Sequence, residues 1–262
     1  MDLNLSGKRA LVCGSTQGIG RACAVELAAL GASVTLMARD AARLAEVAAA
    51  LPRAAGQQHD TLVADLSSPE GVRAAIAGFV DPSRPHHILI NNTGGPPAGP
   101  LIDASAEQFT AAFNSLLLSA HILVQALIPG MRAAGYGRIL NITSTSVKQP
   151  IPNLGLSNAV RAAVANWAKT LSQELGPAGI TVNNILPGYT STERLSSLLQ
   201  GRAKKQNIPE SEIARELQAS IPAGRFGKPE EVAAAVAFLA SPAAAYISGI
   251  NLPVDGGRLG SL

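Results

Sequence analysis

"RALVCGSTQGIGRACAVELAALG", residues Arg9 to Gly31, decides the fold. A short apolar run leads into glycines at Gly14, Gly18 and Gly20, and an amphipathic segment then continues to a stop at Gly31. That order predicts a strand, a turn and a helix. Glycine lets a backbone approach a pyrophosphate closely, and a helix N-terminus offers unpaired N–H groups carrying partial positive charge. The spacing is G-x3-G-x-G rather than the G-x-G-x-x-G fingerprint, so a plain glycine turn stays an alternative until the flanking segments are read.

The flanks repeat the same rhythm. "ASVTLMAR", "HDTLVADLS", "HILINNTGG", "GRILNITS", "ITVNNILPG" and "NLPVDGG" read as strands. Between them, "AARLAEVAAAL", "PEGVRAAIAGFV", "SAEQFTAAFNSLLLSAHILVQALIPGMRAAG", "LSNAVRAAVANWAKTLSQELG" and "PEEVAAAVAFLAS" read as helices. Alternating strands and helices imply a parallel sheet covered on both faces, and right-handed crossovers make it a doubly wound α/β, Rossmann-type sheet. With no repeat or linker, residues 1–262 read as a single dinucleotide-binding domain. Residues 191–226 break the rhythm, are charged, and hold the basic cluster Arg202, Lys204 and Lys205. They read as a helical lid.

Composition narrows the function classes. Hydrophobic residues make up 47% and aromatics only 3%, so aliphatic side chains build the core. Lys plus Arg number 21 against 18 Asp plus Glu, an excess that suits an anionic ligand but argues for no nucleic acid. Cys13 and Cys23 are too few for a disulfide framework, and no histidine lies at metal-ligand spacing from them, so no metal is expected. No apolar run of about 20 residues and no leader pattern is visible, which leads to the expectation of a cytoplasmic protein without a membrane partner.

The second strand runs into Ala38, Arg39 and Asp40. A carboxylate at the strand end holds the ribose of NAD(H), whereas a guanidinium suits a 2′-phosphate. Arg39 therefore favours NADP(H), and Asp40 leaves NAD(H) possible.

"CGSTQGIG", "ADLS", "NNTGG", "FNSLL", "ILNITS", "LSQELGPAGITVNNILPG" and "GRFGKPEEVAAAVAFLASPAAAYISGINLPVDGG" occur in order, and together they resemble the short-chain dehydrogenase/reductase family over nearly the whole chain. The last two segments are similar to 3-oxoacyl-[acyl-carrier-protein] reductases. The resemblance implies cofactor contacts from Gly14, Ser15, Thr16, Gly18, Ile19 and Gly20, from Arg39, Asp65 and Leu66, from Asn91 and Gly94, and from Arg161, Pro187, Gly188 and Thr190. It implies that Asp65 meets the adenine amino group, that Asn114 holds a water and kinks its helix, and that Ser144 bonds the substrate carbonyl.

One part of that pattern is missing. The family places a tyrosine thirteen residues after the serine and a lysine four beyond it, and counting from Ser144 gives Ser157 and Arg161. Reduction of a carbonyl needs a proton delivered to the developing alkoxide. A phenol beside an ammonium can supply it near neutrality, whereas a serine is a far weaker and shorter acid, and an arginine stays protonated. Lys148 and Tyr189 are the candidate replacements, and His121 is an alternative read more readily as a core histidine.

The expected function is an NADP(H)-dependent oxidoreductase interconverting a carbonyl and a secondary alcohol on a small molecule or an acyl thioester. The competing reading is a non-catalytic dinucleotide-binding sensor or scaffold. Gly135 and Ala178 stand where carrier-docking basic residues are expected, leaving Arg132, Arg138 or the lid cluster to compensate. The resemblance also implies a homotetramer built on the two long helices and the last strand.

Overall fold

The alternation resolves into seven parallel strands in the order β3-β2-β1-β4-β5-β6-β7. In chain order these are β1 (Arg9–Cys13), β2 (Ser33–Ala38), β3 (Asp60–Val63), β4 (Ile88–Asn91), β5 (Gly137–Ile142), β6 (Ile180–Pro187) and β7 (Asn251–Val254). The helices are α1 (Gly18–Ala29), α2 (Ala41–Ala50), α3 (Pro69–Ala77), α4 (Ala106–Phe113), α5 (Ser119–Ala133), α6 (Gly155–Leu175), α7 (Glu193–Gln206), α8 (Glu210–Ala219) and α9 (Pro229–Ala240). This is a computed structural model, and it describes residues 1–53, 56–81 and 83–261.

Two aliphatic layers sandwich the sheet. On one face Leu27 of α1 and Val236 of α9 close over Val12, Val34 and Ile90. On the other, Ile76 of α3 and Leu123, Leu127 and Met131 of α5 close over Leu11, Leu89 and Ile139. Because the inner strands β1, β2, β4, β5 and β6 are buried on both sides, they read as nearly continuous apolar runs rather than alternating ones. The order reverses between β1 and β4, so a crevice opens at their carboxyl ends, where doubly wound sheets bind ligands.

Polar residues also fix the register. Asn91 donates to Asn141, Asn141 to Asn184, and Asn184 to Asn251, at 2.8, 2.9 and 2.8 Å. Each pair is directly opposed, so one asparagine row ties β4, β5, β6 and β7 together. Slipping any of these strands would leave buried amides unpaired, at about 1–3 kcal/mol each.

The segment read as one long helix is interrupted. A π-helical turn, Asn114–Leu118, separates α4 from α5, and the Ser119 N–H reaches back to the Asn114 carbonyl. The kink expected at Asn114 is thus a single wide turn, a feature frequent at functional sites. The run Ala106–Ala133 also corrects the expectation that no apolar stretch is long enough to span a bilayer. It has 28 residues and contains an 18-residue window of mean hydropathy 1.7, enough by length and composition. Asn114, Ser115, Ser119 and His121 hid it from a search for unbroken apolar residues. In this fold its apolar side is the packing layer of Leu123, Leu127 and Met131.

The segment read as a lid forms α7 and α8. Ala203, Ile213 and Leu217 pack these helices together over Tyr189 and Phe226. Lys204 and Lys205 occupy the last turn of α7, where cations complement the helix dipole.

Candidate active site and dinucleotide crevice

The turn between β1 and α1 needs its glycines. Gly14 and Gly18 sit at φ 57° and 55°, where side chains are strained. A Cβ on Gly20 would lie 2.1 Å from the Gly14 carbonyl oxygen. Asn92 braces the turn by donating to the carbonyls of Cys13 and Gly14, each at 3.2 Å. Ser15 is buried, with its hydroxyl 3.4 Å from the Met37 carbonyl, and Thr16 is half-buried. The N-cap residue of α1, Gln17, makes no side-chain cap, and the first turn holds no acid. At Gly94, two residues beyond Asn92, an added Cβ would meet nothing within 4 Å. Uncapped N–H groups, a close-approach backbone and open space beside Gly94 fit a dinucleotide pyrophosphate.

The adenosine end is equally suited. Asp40, which had left NAD(H) possible, is committed as the N-cap of α2, accepting from the Arg43 N–H at 3.0 Å. Arg39 is exposed and forms no ion pair among the described residues. Arg43 reaches toward the phosphate turn and donates to Gln17 at 3.2 Å, a second cation on this rim that had not been singled out. Asp65 folds into a tight turn, accepting from the Ser67 N–H at 2.9 Å. That N–H, and more weakly the Arg39 charge, hold its carboxyl below the usual range. The Leu66 carbonyl accepts from Ser119 at 2.7 Å, tying this loop to α5. Among the described residues Asn91 Oδ1 is buried without a partner, beside a small cavity lined by Ser115 and Asn141.

Where the family pattern has a phenol and an ammonium, the chain has a buried pair. Ser157 and Arg161 lie one turn apart on α6, and the Arg161 Nε donates to the Ser157 hydroxyl at 3.0 Å. The Arg161 Nη1 donates to the carbonyls of Ile142 and Thr143 at 3.2 and 2.8 Å, capping the end of β5. Burial, with help from the Arg194 charge, lowers the Arg161 guanidinium to about 10. It therefore stays cationic at neutral pH and works as a fixed charge rather than a proton relay.

An open cleft of about 880 Å³ runs from Ile19 at the phosphate turn, past Pro187, Gly188 and Thr190, to Ser144, Ser157 and Arg161. Of the expected site residues, Ile19, Ser144, Ser157, Arg161, Pro187, Gly188 and Thr190 line this one cleft. Lys148 is not among the lining residues, because the 3-10 turn Thr145–Val147 carries the chain past the wall formed by Ser144 and Thr145. Asn114 is not in the lining either; its neighbours Ser115 and Leu116 line the small cavity behind. Ser144 accepts from the Ser146 N–H at 3.1 Å. Tyr189 lines the cleft, edge-on to Phe226 with ring centroids 6.2 Å apart.

Arg194 and Arg258 also line the cleft, and sequence reading missed both. Neither sits in a motif: Arg194 opens a charged helix, and Arg258 follows the last strand. His121 is a packing group, accepting from the Trp167 indole at 3.3 Å. His86, on the loop leading into β4, is buried against Thr35 at 3.1 Å, and burial pushes it down to about 3. Arg138 is buried and stacks over Tyr136 at 4.0 Å, so it is no surface docking residue, whereas Arg132 is exposed.

Comparison with known proteins agrees with this geometry. Residues 14–258 match the family described as enoyl-(acyl carrier protein) reductase. The chain is 36% identical over 257 residues to the 3-oxoacyl-[acyl-carrier-protein] reductase of Pseudomonas aeruginosa, covering 97% of this chain and 98% of that protein. It is 32% identical over 259 residues to the gluconate 5-dehydrogenase of Gluconobacter oxydans, covering 99% and 97%. The L-sorbose reductase from Gluconobacter frateurii, solved with NADPH and L-sorbose, superposes with a TM-score of 0.92 at 33% identity, covering 100% of both chains.

Proposed function

The chain belongs to the short-chain dehydrogenase/reductase family, and on that premise we propose that it is an NADP(H)-dependent oxidoreductase interconverting a carbonyl and a secondary alcohol through an atypical site. The observation that carries this reading is the continuity of one cleft from the glycine turn to the buried Ser157–Arg161 pair. The solved L-sorbose reductase complex with NADPH supports the cofactor, as do the uncommitted Arg39 and the committed Asp40.

Gly14, Ser15, Thr16, Gly18, Ile19 and Gly20 hold the pyrophosphate, with Gly94 leaving room for it. Arg39 holds the 2′-phosphate, and Asp65 and Leu66 flank the adenine. Pro187, Gly188 and Thr190 line the nicotinamide end, with Asn91 behind. Bound there, the nicotinamide supplies a hydride to the carbonyl carbon in reduction and takes it back in oxidation.

The chain's own groups manage the oxygen. Ser144 and Ser157 offer hydroxyl donors to it, and the fixed Arg161 charge stabilises the alkoxide as it develops. One proton must then reach that oxygen. The titratable side chains lining the cleft are Tyr189 and the guanidiniums of Arg161, Arg194 and Arg258. Tyr189 is the phenol among them, so it stands ahead of Lys148 as the donor.

The same scarcity of acids favours the second reading, a dinucleotide-binding sensor or scaffold. Following NADPH absorbance with a panel of ketones and aldehydes separates the two, because cofactor binding without turnover on any member means a sensor. In the enzyme, Tyr189→Phe lowers kcat by about 10²–10⁴, the usual worth of a general acid, and leaves NADPH affinity within threefold. An equal loss in Lys148→Ala instead of Tyr189→Phe would reassign the donor.

We also propose a homotetramer working in the cytoplasm. Phe109 and Phe113 on α4 and Tyr246 just before β7 are exposed apolar groups on the expected contact faces. Light scattering coupled to size exclusion checks the assembly.

A further inference from the structure

The cleft is unusual in its charge. It is lined by Arg161, Arg194 and Arg258, and no carboxylate lines it among the described residues. Elsewhere on the chain four described arginines pair with acids, Arg9 with Asp60, Arg43 with Asp40, Arg73 with Glu70, and Arg225 with Glu231, while others such as Arg21, Arg39 and Arg132 form no ion pair but stand exposed to solvent. The cleft arginines form no ion pair among the described residues. Arg161 spends its Nε and Nη1 on Ser157 and on two carbonyls, and among the described residues Arg194 makes a single bond, to the Gly95 carbonyl at 3.2 Å. Arg258 lies over the Tyr189 ring at 4.7 Å, with its Nε buried and without a partner among the described residues.

The nearest acid on the Arg258 loop is already committed. Asp255 accepts from the N–H groups of Gly257 and Leu259 at 3.0 and 2.8 Å, which fixes the loop and points to no ion pair with Arg258. Arg161 and Arg194 crowd the same side of Gly95, where an added Cβ would lie 2.6 Å from one guanidinium nitrogen and 3.1 Å from another. Like charges held this close, in a partly dry cleft, cost free energy unless an anion lies among them. Planar guanidiniums match a carboxylate bidentately, the strongest form of such recognition.

We propose that the substrate is an oxo acid, or the matching hydroxy acid in the reverse direction, whose free carboxylate is held by Arg194 and Arg258 while its carbonyl lies against Ser144 and Ser157. This rests on the oxidoreductase reading and narrows its substrate class. It separates a free acid from an acyl thioester, which lacks the carboxylate. The competing use of these arginines is the cofactor's own pyrophosphate.

The test pairs each acid with its neutral twin. Acetoacetate, 2-oxobutanoate and 4-oxopentanoate are titrated calorimetrically against their methyl esters, with the protein alone and loaded with NADP⁺. At least one acid is expected to bind more than 30-fold tighter than its ester, and Arg258→Gln and Arg194→Gln are expected to shrink that ratio below threefold while leaving NADP⁺ affinity within threefold. Equal binding of every acid and its ester overturns the proposal. So does a variant set that loses NADP⁺ affinity but keeps the acid-to-ester ratio, since the arginines then serve the cofactor. Because the readout is binding, acid selectivity without turnover would sink the oxidoreductase reading and leave the carboxylate site standing.

Discussion

The two ends of the cleft are built by opposite rules. At the phosphate turn the chain removes side chains: Gly14, Gly18, Gly20 and Gly94 leave bare backbone, and the α1 N-terminus is left uncapped. At the start of α6 it adds side chains: Arg161 fills the floor and satisfies two carbonyls and Ser157 at once. The first end is a mould whose shape comes from absence, and it leaves its electrostatics to backbone dipoles. The second is a fixed cation that cannot give up its proton. On the proposed reading, a family site that joins cofactor binding to proton transfer is here split, with the first function kept and the second relocated or lost.

Substitutions at each end should therefore fail differently. The largest effect is expected at the mould. Gly20→Val drives a Cβ into the Gly14 carbonyl, and NADPH affinity by fluorescence titration should fall by about 1,000-fold or more, with some loss of Tm. Gly94→Val meets no protein atom, so Tm should hold while NADPH affinity falls at least about tenfold. Unchanged affinity in Gly94→Val would mean that the open space serves no ligand.

At the other end, Arg161→Ala should cost about 100-fold in kcat/KM and also lower Tm, because the Ile142 and Thr143 carbonyls lose their donor. A drop in Tm with kcat/KM intact would make Arg161 a structural cap only. Next in size, Arg39→Ala should weaken NADPH about 30-fold and leave NADH unchanged, as expected for a charge-assisted phosphate contact of about 2 kcal/mol. Equal loss for both cofactors would move the phosphate contact to Arg43.

The smallest effect concerns the scaffold beneath both ends. Burial holds His86 down to about 3 and His87 down to about 4, both below their unfolded value near 6.5. Below pH 6.5 the unfolded chain takes up protons that the folded chain refuses, so stability falls as the pH drops toward those values. His86 contributes a slope of up to about 1.4 kcal/mol per pH unit, visible in urea melts between pH 6.5 and 4.5. His86→Gln should flatten that slope; an unchanged slope would place the acid sensitivity in the carboxylates instead.

Local pattern made most of the fold legible. Each apolar run read as a strand is one, since buried parallel strands need unbroken aliphatic sequence, and the glycine turn sits where Arg9 to Gly31 placed it. Ser157 and Arg161 were found by counting along one helix, and their pairing follows from a spacing of one turn. The reading went astray where distant segments meet. Lys148 looked adjacent to the site in sequence but lies past the wall, and Arg258, which no motif marked, lines the cleft. No sequence signal showed that His86, on the loop before β4, is buried against Thr35 of β2.

By itself, then, the sequence determined the sheet, its crevice, the preference for a phosphorylated cofactor and the loss of the usual proton donor. Each of these depends on neighbours within a few residues or on a fixed helical or strand period. Only the tertiary structure decided the charge of the cleft. Arg161, Arg194 and Arg258 come from three separate elements, and whether a distant arginine is paired with an acid or left facing a ligand is settled by packing that no local spacing encodes.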